Sequence, residues 1–129
     1  MATSAPPTSG RRALPRTRVV DETVGRLLAV ASLASTPLTR MVGLLRHTSL
    51  AEGEGLVLQP CSSIHTCFMR FPIDVAFVAV DGTVLHQVAS MKPFRLTWAA
   101  GAALAVELPA GTLGAHGVER GHSLRFERL

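Results

Sequence analysis

From Leu56 to the C-terminus the apolar residues come in short runs separated by Gly, Pro and polar breaks, a rhythm that leaves little room for anything but short strands. The runs "GLVLQP", "SIHTCFM", "IDVAFVAV", "TVLHQVAS", "AALAVEL" and "SLRFERL" have strand length and strand punctuation. Asp81-Gly82 lies between two of them and is the strongest hairpin signal, because this pair accepts the positive φ of a tight hairpin turn. Upstream, "TRVV" and "RLLAVASLA" flank "DETVG" and predict a further hairpin. Only "STPLTRMVGLLRH" has helical spacing: Ser35 or Thr36 can cap, Pro37 suits the first turn, and Leu38, Met41, Val42 and Leu45 share one face. "PAGTLGAHGVERGH" predicts a turn or short helix, and "MKPFRLTWAAG" a longer loop carrying the sole Trp.

These elements add up to an α+β class: a compact β-rich domain with a curled, mainly antiparallel sheet or partial barrel. One helix falls in the N-terminal half and one short helical turn near the C-terminus. With 129 residues and 47% hydrophobic content there is enough for one core. Residues 1–17 read as a disordered basic tail, being Pro/Ser/Thr-rich and poor in apolar side chains, and 18–129 as one domain. The formal charge of +4 sits in Arg11, Arg12, Arg16 and Arg18; from residue 19 onward nine Lys/Arg balance nine Asp/Glu. A basic footprint on a tail, without a row of aromatic platforms, argues against specific nucleic-acid binding. The uninterrupted apolar runs, such as Leu27 to Ala31, are too short to span a bilayer, and the start lacks the apolar stretch of an export signal. The expected location is therefore cytoplasmic.

The chemistry concentrates in "CSSIHTCFMRFPID", residues 61–74. Read as one extended strand, it would point Cys61, Ser63, His65, Cys67 and Met69 the same way. The Cys and His spacing does not match paired zinc ligands, so no metal and no cofactor is expected. A Cys61–Cys67 disulfide would need Cα atoms within about 7 Å, whereas extended chain separates them by roughly 20 Å. A strand offers no helix N-terminus to activate a thiol, so both cysteines read as small hydrophobes. Polar side chains in an apolar region are costly unless paired or used. That singles out His65, Thr66, Arg70 and Asp74, with Glu107 at the end of "ALAVE" and Arg40 or Arg70 as its natural partner. "GEG" lacks the Lys and Ser of a phosphate-binding loop.

Taken together, "RMVGLLRH", "GEG", "IHTCFMRFPIDVAF" and "ELPAGTLGAHGVERG" resemble the bacterial and archaeal domain-of-unknown-function 192 family. The resemblance rests on Arg40, Gly43, Leu44 and Leu45; on Glu52, Gly53 and Gly55; and on Ile64, His65, Thr66, Met69, Pro72, Ile73, Asp74 and Phe77. Glu107 to Gly111, Gly117 and Gly121 complete it. It implies a β-rich α+β domain and no established reaction, substrate or cofactor. It also implies that His65, Thr66 and Asp74 carry the family's identity while Cys67 does not, and that relatives often have an export signal which this start does not show.

The leading expectation is a non-enzymatic binding module in which His65, Thr66, Arg70, Asp74, Glu107 and Arg40 line a cleft for a small polar or anionic ligand, or a peptide end. Arg70 would clamp an anionic group and His65 and Thr66 would orient it. One alternative is a hydrolase with His65 as general base and Asp74 as its orienter. The other is a structural or protein-interaction domain with no ligand site.

Overall fold

Alternation along each strand decides which side chains the chain buries, and the computed structural model, which describes residues 14–36, 50–67 and 69–129, shows two cores on opposite sides of one sheet. The strands are β1 (Arg16–Asp21), β2 (Arg26–Ala34), β3 (Glu54–Leu58), β4 (Ser63–His65), β5 (Ile73–Val78), β6 (Val84–Met91), β7 (Leu96–Trp98), β8 (Leu104–Pro109) and β9 (Leu124–Arg128). A short helical turn, α1 (Thr112–Ala115), follows β8. Seven strands form a curled sheet in the order β6-β5-β8-β3-β2-β1-β9, and β4 and β7 make a separate two-stranded ribbon. The pairing is antiparallel except for β2 beside β3, which run parallel, so the sheet is mixed. The expected N-terminal-half helix lies outside the described residues.

β5 lies between β6 and β8 and is buried on both faces. Ala76 and Val78 join Val106, Leu108, Leu104, Val57 and Val19 in the core inside the curl. Ile73, Val75 and Phe77 join Leu56, Leu58, Ala105 and Met91 in the other, which Ile64 and Ala99 close from the ribbon side. Such double coverage explains why "IDVAFV" is a nearly continuous apolar run.

The curl brings the two outer strands together. Thr83, just before β6, bridges Ser123, just before β9; the amide of Val84 donates to His122 O and that of Leu124 to Gly82 O. Both predicted hairpins form, β1–β2 across Thr23–Gly25 and β5–β6 across Asp81-Gly82. Asp81 Oδ1 accepts the Thr83 amide, and hydrogen bonds from Thr83 hold its carboxyl below the usual value.

Two expectations fail locally. "SIHTCFM" is not one strand: β4 ends at His65, and a turn closed by Met69 N donating to Thr66 O follows. Cys61 to Met69 therefore do not share a face, and Cys61 and Cys67 form no disulfide. "MKPFRLTWAAG" is not all loop, because Leu96–Trp98 pairs with β4. Among the described residues no helix is long and apolar enough to cross a membrane.

Candidate functional site: a braced loop and its ribbon

Thr66 follows directly on β4 and is wholly buried. Its hydroxyl donates to Lys92 O (2.6 Å) and accepts from the Arg95 amide (2.8 Å). Its own amide donates to Arg95 O and its carbonyl accepts from Phe94 N. Every polar group of Thr66 is thus committed to the segment between β6 and β7 or to the turn closed by Met69.

Asp74, also wholly buried, acts similarly from the other side of the sheet. Oδ1 accepts from the amides of Ser90 (2.7 Å) and Gly111 (3.1 Å), and Oδ2 from that of Leu113 (2.9 Å). One carboxylate therefore ties the end of β6 to the α1 turn. Ser90 and Phe94, the residues so held, have φ of 49° and 61°, the left-handed region that bulky residues avoid. Such conformations persist where surroundings over-determine them, and they cluster at working sites.

The expected cleft does not assemble around these residues. Asp74 stands opposite Leu108 in the β5–β8 pair and Glu107 stands opposite Val75, so the two carboxylates point to opposite faces of the sheet. His65 is exposed on β4, opposite Leu96, and Arg70 is exposed beyond the turn. Arg40 lies outside the described residues. The hydrolase geometry is not made either: both oxygens of Asp74 are taken by backbone amides, and the imidazole that does meet a carboxylate is His122, whose Nδ1 lies 2.8 Å from Asp21 Oδ2. Among the described residues no group of three His, Cys, Asp or Glu is placed to hold a metal.

Glu107 is the energetic anomaly. It is 6% exposed, flanked across the strands by Leu56 and Val75, and no side chain of the described residues donates a hydrogen bond to its carboxylate. Burial pushes its carboxyl up to about 7.

Sequence reasoning missed the segment that Thr66 and Asp74 hold. Lys92, Phe94, Arg95, Leu96 and Trp98 are all exposed there, and the Arg95 guanidinium folds back onto the carbonyls of Pro93 and Phe94. The alternation of cationic and large apolar residues in "MKPFRLTW" was its available signal.

The matching family model covers residues 19–126 and is that of the domain-of-unknown-function 192 proteins, described as "Uncharacterized ACR". The chain belongs to this family. Two solved structures are similar to most of the chain. A Novosphingobium aromaticivorans DSM 12444 protein of unknown function is 28% identical, with TM-score 0.75, over 97% of this chain and 93% of its own. A Sinorhizobium meliloti 1021 protein, named as a candidate transcription regulator, is 25% identical, with TM-score 0.75, over 87% of this chain and 92% of its own. No curated protein matches the chain. Thr66 and Asp74, from the "IHT" and "PID" stretches that carried the resemblance, are the residues that brace the end of β6 and the loop after it.

Proposed function

We propose that this domain is a cytoplasmic, non-enzymatic binding module that holds an anionic group at the β4–β7 ribbon and the loop before it. Arg70, Lys92 and Arg95 supply the charge and His65 a further donor, while Thr66 and Asp74 position the loop without touching the ligand. The observation that carries this reading is the bracing itself: the side-chain oxygens of two wholly buried residues are committed to backbone, that of Thr66 to the 92–95 loop with its left-handed Phe94 and one of Asp74 to left-handed Ser90 at the end of β6. Holding a loop so firmly costs conformational entropy, and the gain is a pre-organised set of groups on its outer side.

Pyrophosphate serves as the probe. A ligand that binds only the folded state raises the melting temperature by mass action. Pyrophosphate should stabilise the wild-type chain, while Arg70→Ala and Arg95→Ala should remove that stabilisation and leave the melting temperature without pyrophosphate unchanged, since both side chains are exposed. A shift that survives both substitutions, or no shift, overturns the reading.

A further inference from the structure

Among the described residues seven large apolar side chains are exposed, and three of them fall within five positions: Phe94 at 65%, Leu96 at 63% and Trp98 at 65%. Leu96 and Trp98, two apart on β7, project from the same face of the ribbon, opposite His65 and Ser63; Ile64 and Thr97 point inward. Phe94 lies two residues before β7, exposed, where its amide donates to Thr66 O.

The charge around this row is one-sided. From Cys61 to Val80 and from Gly82 to Val106 the sole acidic residue is Asp74, buried with both oxygens bonded, while Arg70, Lys92 and Arg95 are exposed. Lys92 and Arg95 line the same shallow depression as Leu96, so the exposed charge beside this row is positive and complements a negative surface.

We infer that the anionic partner of this face is the headgroup layer of an anionic lipid bilayer, into which Phe94, Leu96 and Trp98 insert while Arg70, Lys92 and Arg95 pair with lipid phosphates. The inference rests on the anion-binding reading above and names its partner. Projecting side chains, rather than a lined groove, call for a partner that yields around them. Trp in particular settles where one end is apolar and the other wet. Single-stranded nucleic acid stacks on rows of aromatic faces, and Leu96 between two rings contributes to insertion but nothing to stacking. A folded partner typically buries about 800 Å² per side, more than a ribbon of three-residue strands presents. Three cations beside a small apolar wedge fit reversible attachment to an anionic leaflet, each cation being worth roughly a five-fold change in partitioning.

Trp98 is the sole tryptophan of the chain, so its emission reports the face directly. Full-length protein is titrated with vesicles of phosphatidylglycerol and phosphatidylcholine, with phosphatidylcholine alone, and with pyrophosphate, poly-glutamate and duplex DNA. Anionic vesicles should co-sediment the protein and shift the Trp98 emission to the blue, and neutral vesicles should do neither. Leu96→Ser and Arg95→Ala should each weaken partitioning about five-fold or more, with unchanged melting temperatures. Pyrophosphate binding without vesicle binding overturns the bilayer and leaves the anion reading standing; failure of both sinks both. Binding of poly-glutamate or DNA without vesicles, or sedimentation with no emission shift and no effect of Leu96→Ser, also overturns the inferred insertion.

Discussion

Glu107 and Asp74 show what one carboxylate can cost and another can organise within a single sheet. Asp74 accepts three backbone amides; the carboxylate of Glu107, on the neighbouring strand and the other face, accepts none from any described residue. Because burial raises the Glu107 carboxyl from 4.5 to about 7, the folded state binds a proton that the unfolded state releases between those values. The contribution of Glu107 to stability is therefore fully present below about 4.5, falls as pH rises towards 7, and levels off above it, by about 3 kcal/mol in all. Glu107→Gln should remove that slope, raising the melting temperature at pH 8 and leaving it unchanged at pH 4.5; thermal denaturation across pH 4–9 reads both. Asp74→Ala leaves three amides without their acceptor, that of Leu113 buried and those of Ser90 and Gly111 partly so, and should cost about 4 kcal/mol in urea unfolding. Asp74→Asn, which keeps one oxygen, should cost about half as much. The sequence marks both acids as out of place among apolar neighbours. Which face each one takes depends on strand register, and that is set by pairing with β8 rather than by local residues.

At the level of elements, Thr66 holds the 92–95 loop through Lys92, Phe94 and Arg95, and Asp74 holds Ser90 near the end of β6 just before it. Thr66→Val keeps the shape and removes the hydroxyl, leaving Lys92 O without its donor and Arg95 N without its acceptor. It should cost about 2 kcal/mol, and hydrogen exchange at Phe94 and Arg95 should quicken more than at the β5 amides. Equal exchange in the two places would mean that the hydroxyl does not brace this loop. The importance of Thr66 was legible in the motif, but its target was not, because Lys92 and Arg95 lie 26 and 29 residues further along. β7 escaped the sequence reading for a related reason: three residues between a Pro-containing loop and "AAG" give no alternation to detect, and they become a strand only because β4 is there to pair with. The opposite error occurred at "SIHTCFM", where apolar alternation continues past His65 although the backbone turns at Thr66 to meet Phe94 and Arg95.

Over the whole molecule, the β-rich class, both hairpins and the C-terminal turn were legible because their signals are local. The parallel pairing of β2 with β3 and the order of the seven strands were not, since they join segments distant in sequence. The curl closes where the outer strands meet, and there Asp21 and His122 join at 2.8 Å while Thr23 Oγ1 accepts the Ser123 amide. Gly82 makes this closure possible. Its φ is +95°, and a Cβ built there would stand 2.6 Å from Leu124 O, a backbone atom that cannot move without opening the seam. Gly25, in the β1–β2 hairpin, has φ +71° and nothing within 4 Å of the same position. Alanine at either residue carries the left-handed penalty of about 1–2 kcal/mol, but only at Gly82 does a collision add to it. Gly82→Ala should therefore lose clearly more stability than Gly25→Ala, by about 2 kcal/mol or more, and should speed hydrogen exchange at Val84 and Leu124, whose amides cross the seam. If the two variants melt together, the approach of Leu124 to Gly82 is not what closes the sheet.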